Sequence, residues 1–154
     1  MKISDNTKSL LKNFSTINSG IRVKSGNQLE TISNMKNILA VATVPEQFPQ
    51  DFSIYNLPEF LGATSLMDDP DFQFGDASVS VADNNTTLSY FYASEGMVTA
   101  PEKMITMPDA EVGIDISSTL LNELQKAASV LGVNDLVLSS DGTTIKLEVT
   151  DKKN

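Results

Sequence analysis

The sequence predicts an α+β fold, antiparallel sheet carrying a few amphipathic helices, and three observations predict it. Short runs that alternate apolar and polar residues outnumber the helical stretches. Turn dipeptides such as Ser25-Gly26, Gly75-Asp76 and Asp141-Gly142 separate those runs. The order strand, helix, turn, hairpin with which the chain opens returns later, with Leu120-Leu121 and Leu124 aligned on Leu10-Leu11 and Phe14 at an offset of 110 residues.

Taken in order, residues 2–4 read as a short strand. A helix starting after Asp5 turns about 100° per residue, which puts Leu10, Leu11, Phe14 and Ile17 on one stripe and Lys8 and Lys12 opposite it. Gly20 ends that pattern, and Ile21-Arg22-Val23-Lys24 alternates as a half-buried strand should. Residues 28–32 and 37–44 read as further strands, the second apolar enough to be covered on both faces. Pro45 and Pro49 bracket a break before a strand at 51–55. Asn56 can cap a second helix, with Pro58 in its first turn and Leu57, Phe60, Leu61 and Thr64 on one stripe, ending near Met67. Strands follow at 72–74, 78–82 and 87–92.

From Ala93 to Pro108 the pattern loosens into an edge strand and a linker. A strand at 111–116 precedes a third helix, capped by Ser117 or Ser118 and closed by Gly132, with Leu120, Leu121, Leu124, Ala127, Ala128 and Leu131 on its stripe. A hairpin of strands at 133–140 and 144–150 turns at Asp141-Gly142. The domain reading is therefore 1–104 for a first unit and 105–154 for the start of a second. At the same spacing the second copy would be complete near residue 210, a rough extrapolation. Its unfinished hairpin would leave an exposed strand edge prone to self-association.

Composition narrows the function. The 154 residues contain no cysteine and no histidine, which excludes disulfides, thiolate and imidazole metal sites, and Ser-His or Cys-His catalysis. No phosphate-cradling glycine loop is present. No apolar run approaches the roughly 18 residues of a membrane helix, and no secretory signal opens the chain, so the expected location is cytoplasmic. The net charge of −9 is unevenly spread. Residues 1–26 hold Lys2, Lys8, Lys12, Arg22 and Lys24 against Asp5, whereas residues 46–115 hold thirteen acids against Lys103. An acidic chain with one basic zone repels nucleic acid in general and accepts it in one place.

Three weaker features have ordinary explanations. Asp68-Asp69-Pro70-Asp71 could hold a divalent cation and support a hydrolase, but it lacks calcium-loop spacing and reads as a solvated turn. Tyr90-Phe91-Tyr92 could stack on bases, but alternation in a strand makes sheet packing the better reading. Met104 and Met107 could form an adaptable partner-binding surface, or hold the linker against its domains.

The block Leu10-Leu11-Lys12-Asn13-Phe14-Ser15-Thr16-Ile17-Asn18-Ser19-Gly20-Ile21, supported by Ile54-Tyr55-Asn56-Leu57 and Phe60-Leu61-Gly62, resembles the sliding clamps of T-even-like bacteriophages, the processivity factors of their replicative polymerase. The resemblance implies the DNA-clamp fold, two helices on antiparallel sheet per domain, with the second domain incomplete here. It also implies three subunits closing a ring around double-stranded DNA, with the replicative DNA polymerase and an ATP-driven clamp loader as partners. No cofactor and no catalytic residue is implied. Lys8 and Lys12, and Lys126 on the third helix, would face the phosphates, with Lys2 and Arg22 as additions. The second helix offers Glu59, Gly62, Ala63 and Leu66 outward and no base. The alternative function is a protein-interaction module that retains the fold and binds through its sheet or its methionine-rich linker.

Overall fold

The computed structural model describes residues 1–103, 108–109 and 113–152. The chain divides into two compact units, Met1–Ile105 and Thr106–Asn154. Met104 and Met107 lie outside the described residues.

In the first unit, helix α1 (Asp5–Ile17) is followed by β1 (Ile21–Val23), β2 (Gly26–Ile32), β3 (Leu39–Phe48), β4 (Phe52–Ile54), helix α2 (Leu57–Thr64), β5 (Asp71–Phe74), β6 (Ser78–Ala82) and β7 (Thr87–Phe91). All pairings are antiparallel: β1 with β4, β2 with β3, and β5-β6-β7 in sequence order. The helices pack on each other, and α1 also lies against β2. Between helices and strands sit Leu11, Phe14, Ile21, Leu29, Ile54, Leu57, Phe60, Phe72, Val79 and Val81, all buried. Each contributes about 1.5–3 kcal/mol on removal from water. Tyr90 and Tyr92 point inward, with ring centres 5.1 Å from Phe60 and 5.3 Å from Phe52, while Phe91 faces out. The packing reading of that triplet is the one the structure bears out.

Several expectations are corrected. Residues 2–4 form no strand; Met1 alone makes backbone bonds to Phe72 on β5. β3 does not break at Pro45 but continues to Phe48. Its register against β2 slips between Gly26 and Gln28, whose partners are Phe48 and Thr43. Pro45 falls in that irregular stretch, where a missing N–H removes no ladder bond. Nor is β3 covered on both faces, because Val41 and Thr43 are exposed.

The second unit holds helix α3 (Ser118–Leu131) and the hairpin β8 (Asp135–Ser140) with β9 (Ile145–Thr150). Ser117 caps α3 by accepting from Leu120 N–H, and Gly132 closes it with φ of 69°, a left-handed conformation that glycine adopts without penalty. The hairpin loop runs from Asp141 to Thr144, one residue longer than the 141–143 left between the expected strands, with Asp141 Oδ1 accepting from the backbone N–H groups of Thr143 and Thr144. Residues 113–117 carry no strand, and 111–112 lie outside the described residues. No described residue of α3 is buried.

The junction of α1 with the sheet is closed by Asn18. Its Nδ2 donates to the carbonyls of Ile32 and Thr99, each at 2.9 Å, its Oδ1 accepts from Gly20 N–H at 3.0 Å, and its own N–H caps α1 at Phe14. Gly20 is closely covered: a Cβ there would stand 3.0 Å from Val98 Cγ1 and 3.2 Å from the Tyr55 carbonyl, so a side chain fits only if these neighbours shift. Asn18→Ala strands buried polar groups on three segments, so it should cost about 2–4 kcal/mol, read as a lower urea midpoint at unchanged m-value. A loss under about 1 kcal/mol would show that water or local shifts replace the carboxamide.

Candidate nucleic-acid interface

The rotation of α1 about its axis is set at both ends. Asn18 holds the C-terminus, and Ser4 caps the N-terminus by accepting from Thr7 N–H. Glu46 reaches in from β3, accepting from Ser4 N–H at 2.6 Å and from the fully buried Thr7 hydroxyl at 2.6 Å. A carboxylate among the free N–H groups at the start of a helix is favoured by the helix dipole. Burial of Glu46 opposes its ionisation, but the bonds from Thr7 and Ser4 outweigh it and hold the carboxyl below its ordinary range.

So fixed, α1 presents Lys8 and Lys12 on one open groove of about 330 Å³ against α2, lined also by Ser9, Leu61, Thr64, Ser65 and Met67. Periodicity places the lysines opposite the apolar stripe; in the fold they also border the neighbouring helix. Lys8 Nζ stands 3.2 Å from Asp5 Oδ1. Lys12 makes no ion pair among the described residues. From α2 come only apolar groups and hydroxyls, and those hydroxyls donate to α2's own carbonyls at Leu61 and Gly62. Two ammonium groups over a groove without an acid in its lining can attract a polyanion as point charges.

The other predicted residues lie elsewhere. Lys2 is paired with Asp69 at 2.9 Å and also donates to the Asp69 carbonyl. Arg22, half-buried on β1, donates from Nη2 to the Pro101 carbonyl at 3.0 Å. It borders a separate groove of about 800 Å³, where Lys24 and Lys36 are balanced by Asp51, Asp76, Glu95 and Glu102. Lys126 lies on α3 in the second unit, beside Asn122, Gln125 and Ser129 on a shallow shelf. The structure thus brings Lys8 and Lys12 together and brings neither Lys2 nor Arg22 to them.

The Asp68 cluster is dispersed into local bonds. Asp71 pairs with the Met1 ammonium at 2.7 Å, which holds its carboxyl low, and Asp83 is held low by backbone N–H groups of Asn85, Thr86 and Asp68. Among the described residues, no three acidic side chains are grouped to hold a metal ion. Sequence reasoning missed Glu46, hidden by the break assigned at Pro45, and Thr7, a polar residue whose burial no periodicity shows.

Helices over antiparallel sheet, with Lys8 and Lys12 gathered at one helix pair, define an α+β protein with a cationic helix face. Residues 4–93 match the profile of a family described as DNA polymerase processivity factor. Along 157 aligned residues the chain is 34% identical to the sliding clamp of Vibrio phage KVP40, covering 98% of this chain and 71% of that one. It is 35% identical over 141 residues to the sliding clamp of Enterobacteria phage T4 (90% and 62%) and 29% over 148 to that of Escherichia phage RB69 (94% and 65%). The chain belongs to the DNA polymerase processivity factor family, and it spans between 62% and 71% of the length of these relatives.

Because the folded-state pKa of Glu46 is depressed, its contribution to stability is complete above the ordinary carboxylate range and is lost as pH falls through the lowered value. Glu46→Gln should therefore lower the melting temperature at pH 7 and differ progressively less from the parent as melts are repeated towards about pH 3. A difference that stays constant with pH would show that Glu46 acts by packing alone.

Proposed function

We propose that this chain is a sliding-clamp subunit, or a part of one, that encircles duplex DNA and tethers the replicative polymerase. The observation that carries the proposal is the groove holding Lys8 and Lys12, whose lining contains two cations and no acid in a strongly acidic chain, in a member of this family. Lys126 on α3 would serve the corresponding role in the second unit. Lys2 and Arg22, already engaged by Asp69 and Pro101, would contribute little. Met104 and Met107 remain candidates for a partner-binding surface.

The mechanism is topological and not chemical. A closed ring cannot leave DNA sideways, so each phosphate contact can be weak and independent of base sequence, which is the condition for sliding. A trimer is the assembly we propose, opened by an ATP-driven loader whose nucleotide chemistry is not the clamp's own. The role needs no cofactor and no catalytic residue. Work on DNA in the host cytoplasm fits the finding that no helix among the described residues is long and apolar enough to cross a membrane.

Substituting Lys8 and Lys12 together by glutamate should abolish measurable duplex binding at low salt. The milder alanine pair should flatten the slope of log K against log salt by about 1.8, two phosphates at roughly 0.9 each. Fluorescence anisotropy with a labelled duplex, alongside melts to confirm folding, checks both. Unchanged binding in the folded variants would remove the groove from the DNA interface.

A further inference from the structure

The two lysines of the groove are not equivalent, and the difference has a single source. Asp5, one turn before Lys8 on the same helix, holds the Lys8 ammonium at 3.2 Å, while Lys12 has no acidic partner among the described residues. Asp5 is almost fully exposed, with 98% of its side chain accessible, and Lys8 is accessible to 39%. Neither is needed for the core. No acid comes from α2 or from the turn after it, since the remaining lining is Ser9, Leu61, Thr64, Ser65 and Met67. Asp5 is thus the one ionic partner that Lys8 possesses among the described residues, held 3.2 Å from the ammonium that a phosphate would take.

An exposed pair of this kind is weak, and solvent and salt screen it. That weakness makes exchange possible: a phosphate can take the ammonium while Asp5 turns to water. The exchange still subtracts from binding, because Lys8 gives up one partner to gain another, and the free carboxylate then stands beside the phosphate with like charge. We propose that Asp5 is an affinity-setting residue, an internal counter-ion that competes with the DNA backbone for Lys8 and keeps the grip of α1 on duplex DNA loose. The inference rests on the proposed function of the groove. Lys12 supplies steady attraction, and Lys8 supplies a contact that is made and surrendered easily, as a surface that must move along phosphates requires.

The test is a double-mutant cycle on the full chain: Asp5→Asn, Lys8→Ala and both together, with Lys12→Ala as reference, titrated with a labelled duplex at salt from about 20 to 150 mM. Asp5→Asn should tighten binding about threefold to tenfold at the lowest salt and steepen the salt slope by up to about 0.9. In the Lys8→Ala background the same change should yield at most a small part of that gain. Melts of each variant control for the position of Asp5 in the first turn of α1, where its charge also favours the helix. An equal gain with and without Lys8 would mean that Asp5 acts as general negative charge, and no gain at all would mean that it does not compete; either overturns the inference. If Lys8→Ala and Lys12→Ala also leave binding unchanged, the failure lies with the groove as a DNA interface and not with Asp5 alone.

Discussion

Asn18 stands where three segments of the first unit meet, and the arrangement of the rest depends on that buried carboxamide. It ends α1, receives Gly20 at the start of β1, and ties the ends of β2 and of the segment after β7 through two carbonyls. Backbone carbonyls withdrawn from water need a donor, and leaving one without costs more than a typical bond contributes. A single amide with two donors and an acceptor meets all three requirements at once. Gly20 follows because Val98 and the Tyr55 carbonyl close over it. The helix therefore leaves the sheet at one angle, and Glu46 at its other end removes the remaining freedom to roll.

That rigidity gives the charge pattern its meaning. An ammonium on a long flexible side chain is a poor address unless its backbone is held, and α1 is held at both termini. The lysines then border α2, which brings to the groove hydroxyls already engaged with its own backbone and no acid. Against a chain of net charge −9 such a surface is local, and it is where the proposed polyanion contact falls. Family membership and the proposed interface meet at this point: in the proposed ring, weak and sequence-independent contacts would suffice.

The second unit follows the same local rules with a different energetic outcome. Ser117 and Gly132 bound α3 as caps should, and Asp141 organises its hairpin loop. Yet Leu120, Leu121 and Leu131 remain exposed, as do Leu136, Leu138 and Ile145 on the hairpin. Local capping secures the element, while the burial that makes a helix stable in a protein comes from what packs on its stripe.

By itself the sequence determined what depends on neighbours along the chain. Asn56 capping α2, Gly132 in its left-handed turn, the helix stripes, the strand alternation and the inward tyrosines were legible because each follows from local dihedral preference or from a period of 3.6 or 2. The block around Asn18-Ser19-Gly20 was legible as a family resemblance, though not as a clamp of hydrogen bonds. Only the tertiary structure decided which cations remain available. Lys2 and Arg22 carry the same charge as Lys12, but Asp69 and Pro101, far away in sequence, engage them. It also carried β3 through Pro45 by slipping the register, which buried Glu46 at the start of α1. Long-range pairing has no periodicity to read, so the residues that position the groove became visible only where the folded chain brings them together.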